Sequence, residues 1–138
     1  MQTATDAYLQ CETLARQLHS GADYLIEQAR TYTATGQRED MDNYFEELNT
    51  TRRRENALEY IAEHYGDTDA FTLLKSAMTT SQNLSYTDRY AMRLVAQATL
   101  ADESSWPTEI RSVSLHDSDI TMTDSEKMRK AQQLVCND

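Results

Sequence analysis

Residues 4–36 read ATDAYLQCETLARQLHSGADYLIEQARTYTATG, and this stretch decides the fold. Its apolar residues, Ala4, Ala7, Cys11, Leu14, Leu18, Ala22, Leu25, Ala29 and Tyr32, fall at steps of three and four. That spacing lines one face of an α-helix, which needs a partner along its whole length. Two further stretches carry the same signature. Met41, Tyr44, Leu48, Thr51, Leu58, Ala62 and Tyr65 form a second stripe, and Ala70, Leu74, Ala77, Ser81, Leu84, Ala91, Val95 and Ala98 a third. Gly36 and Gly66 separate the stripes; Gly36 suits the left-handed cap that ends a helix, and Gly66 stops the second. The pattern predicts helices over about 5–35, 39–65 and 69–98, the first some 46 Å long. Thr68 or Asp69 caps the third, and Asn83-Leu84-Ser85 is its weak spot. Long matched helices joined by tight reversals make an all-α, antiparallel up-down four-helix bundle once a fourth member is found.

Composition agrees. The chain has 138 residues, enough for one domain with a core, and only three glycines and one proline, too few for a turn-rich sheet. Its net charge of −10 opposes binding nucleic acid or an anionic membrane surface through a basic patch. No apolar run is long enough to span a bilayer, and Met1 opens onto polar residues rather than a signal peptide.

The fourth helix follows an irregular segment, 99–123, that Trp106-Pro107 interrupts. A short helix after Pro107 fits there, since proline suits a helix start. Thr123 with Glu126 three residues on is a capping box, and it opens a helix over 124–138 with Met128, Ala131, Leu134 and Val135 on one face. That helix is about 22 Å long, half the length of its partners, so the fourth member is truncated. Uncovered stripe costs about 25 cal/mol per Å². The expectation is that the native chain continues past Asp138 and that a second subunit, in a homodimer, also covers the gap. Cys11 and Cys136 fall at different heights along such a bundle, which argues against a disulfide between them.

The chain offers little chemistry. His19, His64 and His116 are dispersed with no pair at helical zinc spacing, and His116-Asp117-Ser118-Asp119 lacks the glycine and final glutamate of a calcium loop. There is no phosphate loop, nucleophile elbow or paired-cysteine motif, so no enzyme, metal or cofactor is expected. The sharpest charge feature is Arg52-Arg53-Arg54, which spans most of a helical turn. A guanidinium directed between helices would anchor a small anionic ligand such as a carboxylate. The plainer reading pairs the arginines with Glu46, Glu47 or Glu55. Arg30 and Arg93 are further candidates for the same role.

Residues 24–61 are more specific. In this hairpin Leu25 and Arg30 precede a turn at Thr35-Gly36, Tyr44-Phe45-Glu46 follow it, and Arg52 to Ala57 lie further down. The hairpin resembles the first helical hairpin of extracytoplasmic four-helix-bundle sensor domains of bacterial transmembrane receptors: sensor histidine kinases, diguanylate cyclases and chemoreceptors. Residues 73–98 and the tail TDSEKMRKAQQLV (123–135) continue the likeness. The resemblance implies a non-catalytic domain on the extracytoplasmic side of a bacterial membrane, with a membrane helix on either side of it. A small anionic ligand or an extracytoplasmic protein partner would displace its helices, and a cytoplasmic output domain, a histidine kinase in first place, would read the shift. The competing classes are a helical adaptor and a secreted cytokine-like helical factor.

Overall fold

The computed structural model describes residues 4–99 and 102–136, and these are all-helical, with no strand among them. Helix α1 runs Ala4–Thr35 and stops at Gly36, whose φ of +68° is open to glycine at no steric cost and whose N–H closes onto Tyr32 O at 2.7 Å. Helix α2, Arg38–Glu46, starts one residue ahead of the expected 39 and carries Glu39 and Asp40 in its first turn.

The expected continuous helix over 39–65 is interrupted. Glu47–Thr51 form a single π-helical turn, closed by the Arg52 N–H onto Glu47 O at 2.8 Å. Arg52 then takes the left-handed conformation, φ 50° and ψ 44°, before α3 runs Arg53–Tyr65. A π turn inserts an extra residue, and this rotates the apolar face of everything after it. Ala57 and Ile61 are therefore fully buried where Leu58 and Ala62 were expected, Ala62 and Thr51 are exposed, and Leu58 is only partly covered.

Helix α4, Asp69–Ala98, is capped by Thr68, whose hydroxyl accepts from Phe71 N at 3.3 Å. Asn83-Leu84-Ser85 do not loosen it. The Ser85 hydroxyl donates back to Ser81 O at 3.1 Å, which satisfies it inside the helix. The segment before the last helix contains a 3₁₀ turn, Glu103–Ser105, then α5, Thr108–Arg111, directly behind Pro107, and α6, Asp117–Ile120. Trp106 and Ile110 from this segment are buried in the core. Helix α7, Asp124–Cys136, opens on the capping box: Glu126 N donates to Thr123 Oγ1 at 3.2 Å, and Thr123 N to Glu126 Oε1 at 3.3 Å.

Cross-links fix the directions. Asn43 donates to Gln28 Oε1 near the Gly36 end, while Gln10 donates to the Tyr60 hydroxyl and accepts from Tyr65 near the Gly66 end, so α2 and α3 return alongside α1. On α7, Gln132 donates to Thr33 O and Val135 O accepts from Arg30, so α7 also descends against α1. At the Gly36 end, Leu25, Ala29, Met41, Tyr44, Leu94, Val95, Ala131 and Val135 share one cluster. At the Gly66 end, Leu14, Leu18, Ala57, Ile61, Leu74 and Met78 form a second cluster, to which α7 contributes nothing. The two cysteines are free.

Candidate functional site

The polar cleft lies beside the break between α2 and α3. Leu48, Arg52, Arg54 and Glu55 line one wall and Gln82, Ser85, Tyr86 and Arg89 of α4 the other, around about 420 Å³. The left-handed residue makes this geometry. Without the π turn and the reversal of φ at Arg52, Arg52 and Arg54 would point where a regular helix sends them, two residues apart and on different faces.

Arg54 is the centre. Its side chain is only 3% exposed, and Nη1 donates to Ser81 Oγ at 2.7 Å and to Ser85 Oγ at 3.4 Å. Its Nε sits 3.4 Å from Glu55 Oε1, but neither atom makes a hydrogen bond, and both are buried. A buried guanidinium N–H without an acceptor leaves a desolvation penalty unrecovered, and an acceptor entering the cleft would recover it. Arg89 stacks over the Tyr86 ring at 4.9 Å and donates through Nε to Ser85 O at 3.3 Å. Arg52 reaches Glu59 at 3.0 Å on the outside. Behind the cleft, the buried Tyr44 hydroxyl donates to Asp88 at 3.4 Å. Burial, then the Asp88 carboxylate, pushes that phenol well above its ordinary pKa, so it stays a donor at any working pH.

The five arginines singled out in the sequence therefore part company. Arg52 and Arg54 share the cleft. Arg53 leaves on the opposite side, where Nε and Nη2 hold Glu47 Oε1 at 2.7 and 2.6 Å, Nη1 holds Ser20 at 3.0 Å, and the guanidinium covers the Tyr24 ring at 5.0 Å. Glu47 is 2% exposed, and its other oxygen accepts the Arg53 backbone N–H at 3.0 Å. This carboxylate caps α3 from inside the π turn. Arg53 is a structural clamp. Arg30 caps the end of α7 through Val135 O at 3.1 Å, remote from the cleft. Arg93 lies over the Trp106 ring at 4.6 Å and donates to Ile110 O at 3.3 Å, binding the segment before α7 to α4.

Arg89 escaped the sequence reading. Its signal was the polar series Ser81, Gln82, Ser85, Arg89, which keeps helical spacing through a stripe otherwise apolar. Gly21 escaped too. A Cβ there would lie 3.0 Å from Arg53 Cβ and 3.1 Å from Arg54 N, so α1 approaches the start of α3 closely enough that a side chain would push its neighbours back by a few tenths of an ångström. A lone glycine inside a long helix was the available sign.

A second polar cluster fastens the last segments. Asp119, fully buried, accepts from the Tyr90 hydroxyl and from Lys130 Nζ at 2.6 Å, while the His116 N–H donates to the Tyr90 oxygen at 3.1 Å. Hydrogen bonds from Lys130 and then Tyr90 hold the Asp119 carboxyl below its usual range. Among the described residues, no group of three or more His, Cys, Asp and Glu side chains could hold a metal ion, and no helix is long and apolar enough to cross a membrane. Compared with known protein families, with curated proteins and with solved structures, the chain finds no match in any of the three.

Proposed function

We propose that this chain is the extracytoplasmic sensing domain of a bacterial membrane receptor, of the sensor histidine kinase kind, and that it reads a small anion in the Arg52–Arg54–Arg89 cleft. On this reading α1, α2–α3, α4 and α7 are the members of an antiparallel four-helix bundle, held by a membrane helix on either side of the domain. The domain performs no chemistry itself. The resemblance of residues 24–61 to such sensor hairpins supports the class. The observation that carries the site is Arg54, a nearly fully buried cation whose Nε makes no hydrogen bond and faces only the Glu55 carboxylate, at 3.4 Å.

A carboxylate or phosphate oxygen is the matching ligand, because the guanidinium presents fixed N–H groups to planar or tetrahedral anions. The cleft volume of about 420 Å³ suits a small molecule. The ligand would act where α2 meets α3. Binding that favours one backbone arrangement of the junction over another shifts their populations by no more than its difference in affinity for the two.

A thermal-shift screen of small mono- and dicarboxylates and inorganic phosphate, at matched ionic strength, tests the site. A ligand at a hundred times its Kd stabilises by about 2.7 kcal/mol, which raises Tm by about 8 °C for a chain of this size. Arg89→Gln and Arg52→Gln should abolish the shift while Arg16→Gln, far from the cleft, keeps it. Equal shifts in all three variants, or no shift with any anion beyond the chloride control, refute the site.

A further inference from the structure

We infer that the ligand of the cleft beside the α2–α3 junction is an aromatic monocarboxylate, a singly charged acid with a flat body, rather than a dicarboxylate or a phosphate. The inference rests on the anion reading of that cleft and names the kind of anion it holds. Two properties of the lining carry it, the charge left over once the arginines are paired and the surface that remains for the rest of the ligand.

Charge sets the first limit. Three guanidiniums line the cleft, but two already face carboxylates, Arg52 that of Glu59 at 3.0 Å and Arg54 that of Glu55 at 3.4 Å. Arg89 pairs with no carboxylate among the described residues. Its Nε donates to Ser85 O, and its two terminal nitrogens hydrogen-bond no group among those residues. They are the pair of donors that a carboxylate takes in bidentate fashion. One unpaired guanidinium matches one negative charge. A second carboxylate, or a doubly charged phosphate, would meet Glu55 in the cleft wall and the buried Asp88 carboxylate behind Tyr44, where repulsion is screened less than in water.

Shape sets the second. A carboxylate displaces roughly two waters, at about 30 Å³ each, so most of a cleft of about 420 Å³ is left for the body of the ligand. Apolar surface in the lining comes from Leu48 on the junction wall and the Tyr86 ring on the α4 wall. Tyr86 is 67% exposed, and the Arg89 guanidinium lying over its ring at 4.9 Å, rather than burial, holds it in place. A flat surface therefore stands directly beside the free donors. An acid whose ring carries the carboxylate in its own plane reaches both at once, stacking on Tyr86 while its oxygens meet Arg89.

Calorimetric titration of the full chain with acetate, benzoate, cyclohexanecarboxylate, succinate and inorganic phosphate, at neutral pH and fixed ionic strength, tests this. Benzoate should bind about tenfold or more tightly than acetate, the worth of an aromatic contact with its added burial. It should also bind more tightly than succinate, phosphate and cyclohexanecarboxylate, the last having its charge and bulk without its flatness. Tyr86→Ala should remove the advantage of benzoate over acetate and Tyr86→Phe should keep it, with circular dichroism of both variants checking the fold. Acetate and benzoate binding equally, both lost in Arg89→Gln, overturns the inference and leaves the anion site standing. So does tighter binding of succinate or phosphate, or cyclohexanecarboxylate equalling benzoate. A preference for benzoate that survives both Tyr86→Ala and Arg89→Gln places the acid elsewhere and overturns it as well. Binding of none of the five overturns the inference and the anion site together.

Discussion

Replacing Arg52 by glycine, alanine and valine should reorder stability in a way no regular helix permits. The left-handed backbone costs an L-residue about 1–2 kcal/mol and costs glycine nothing. Glycine gives back about 0.5–1 kcal/mol through the greater freedom of its unfolded chain. All three variants lose the Arg52–Glu59 pair, whose side chains are 39% and 65% exposed, so that shared loss is at most about 0.5 kcal/mol. Glycine therefore ends about 0.5–1 kcal/mol above alanine. Valine falls at least about 1 kcal/mol below alanine, because a β-branched side chain at positive φ is a steric outlier. In a continuous helix over 39–65 the order would be alanine, valine, glycine, with glycine about 1 kcal/mol the worst relative to alanine. At about 3 °C per kcal/mol, thermal denaturation should place glycine about 1.5–3 °C above alanine if the junction is broken and about 3 °C below it if the helix runs through. Alanine as the most stable of the three would refute the left-handed junction and, with it, the alignment of Arg52 with Arg54.

Further perturbations reach the elements around the junction. Glu47→Ala should cost about 2–4 kcal/mol in urea denaturation, since it leaves Arg53 and a helix start without their buried acceptor; a loss below 1 kcal/mol would mean the carboxylate is solvated. Gly21→Ala should destabilise by about 1–2 kcal/mol although alanine is the better helix former, because the new methyl meets Arg53 Cβ and the Arg54 backbone rather than a flexible chain end; a stabilised variant would show that α1 and α3 are further apart. Asp119 has a lowered folded pKa, so its contribution is fully present above the unfolded carboxylate value near 4 and is lost as pH falls through the folded value. Asp119→Asn should therefore cost about 1–2 kcal/mol at neutral pH and flatten the stability profile on the acid side, where a parallel profile would exclude the role of this clasp.

The helices were legible because their evidence is periodic and redundant. The nine-residue stripe of α1 survives any one misreading, and Gly36, Thr68 and the Thr123–Glu126 box mark ends by local chemistry that needs no tertiary contact. The π turn was not legible for the opposite reason. Leu48 and Thr51 continue the stripe well enough to conceal an inserted residue, and no glycine or proline flags Arg52. Only the buried Ala57 and Ile61, in place of Leu58 and Ala62, record the shift.

The arginines show why a charge cluster alone could not be assigned. Three consecutive residues on a regular helix are distributed over about 200° of its circumference, so one was bound to face inward, but which one depends on the phase of the helix. That phase is set by the π turn, and the π turn is held by Glu47, which receives both the Arg53 backbone and its guanidinium. Arg53 is thus consumed in fixing the junction, and this is what frees Arg54 to enter the core between Ser81 and Ser85 and leaves Arg52 at the mouth of the cleft. The clamp and the cleft are two sides of one backbone irregularity. A ligand drawing on Arg54 would work against the same few residues that Glu47 holds, which makes the junction, rather than either helix, the place where binding and backbone geometry are joined.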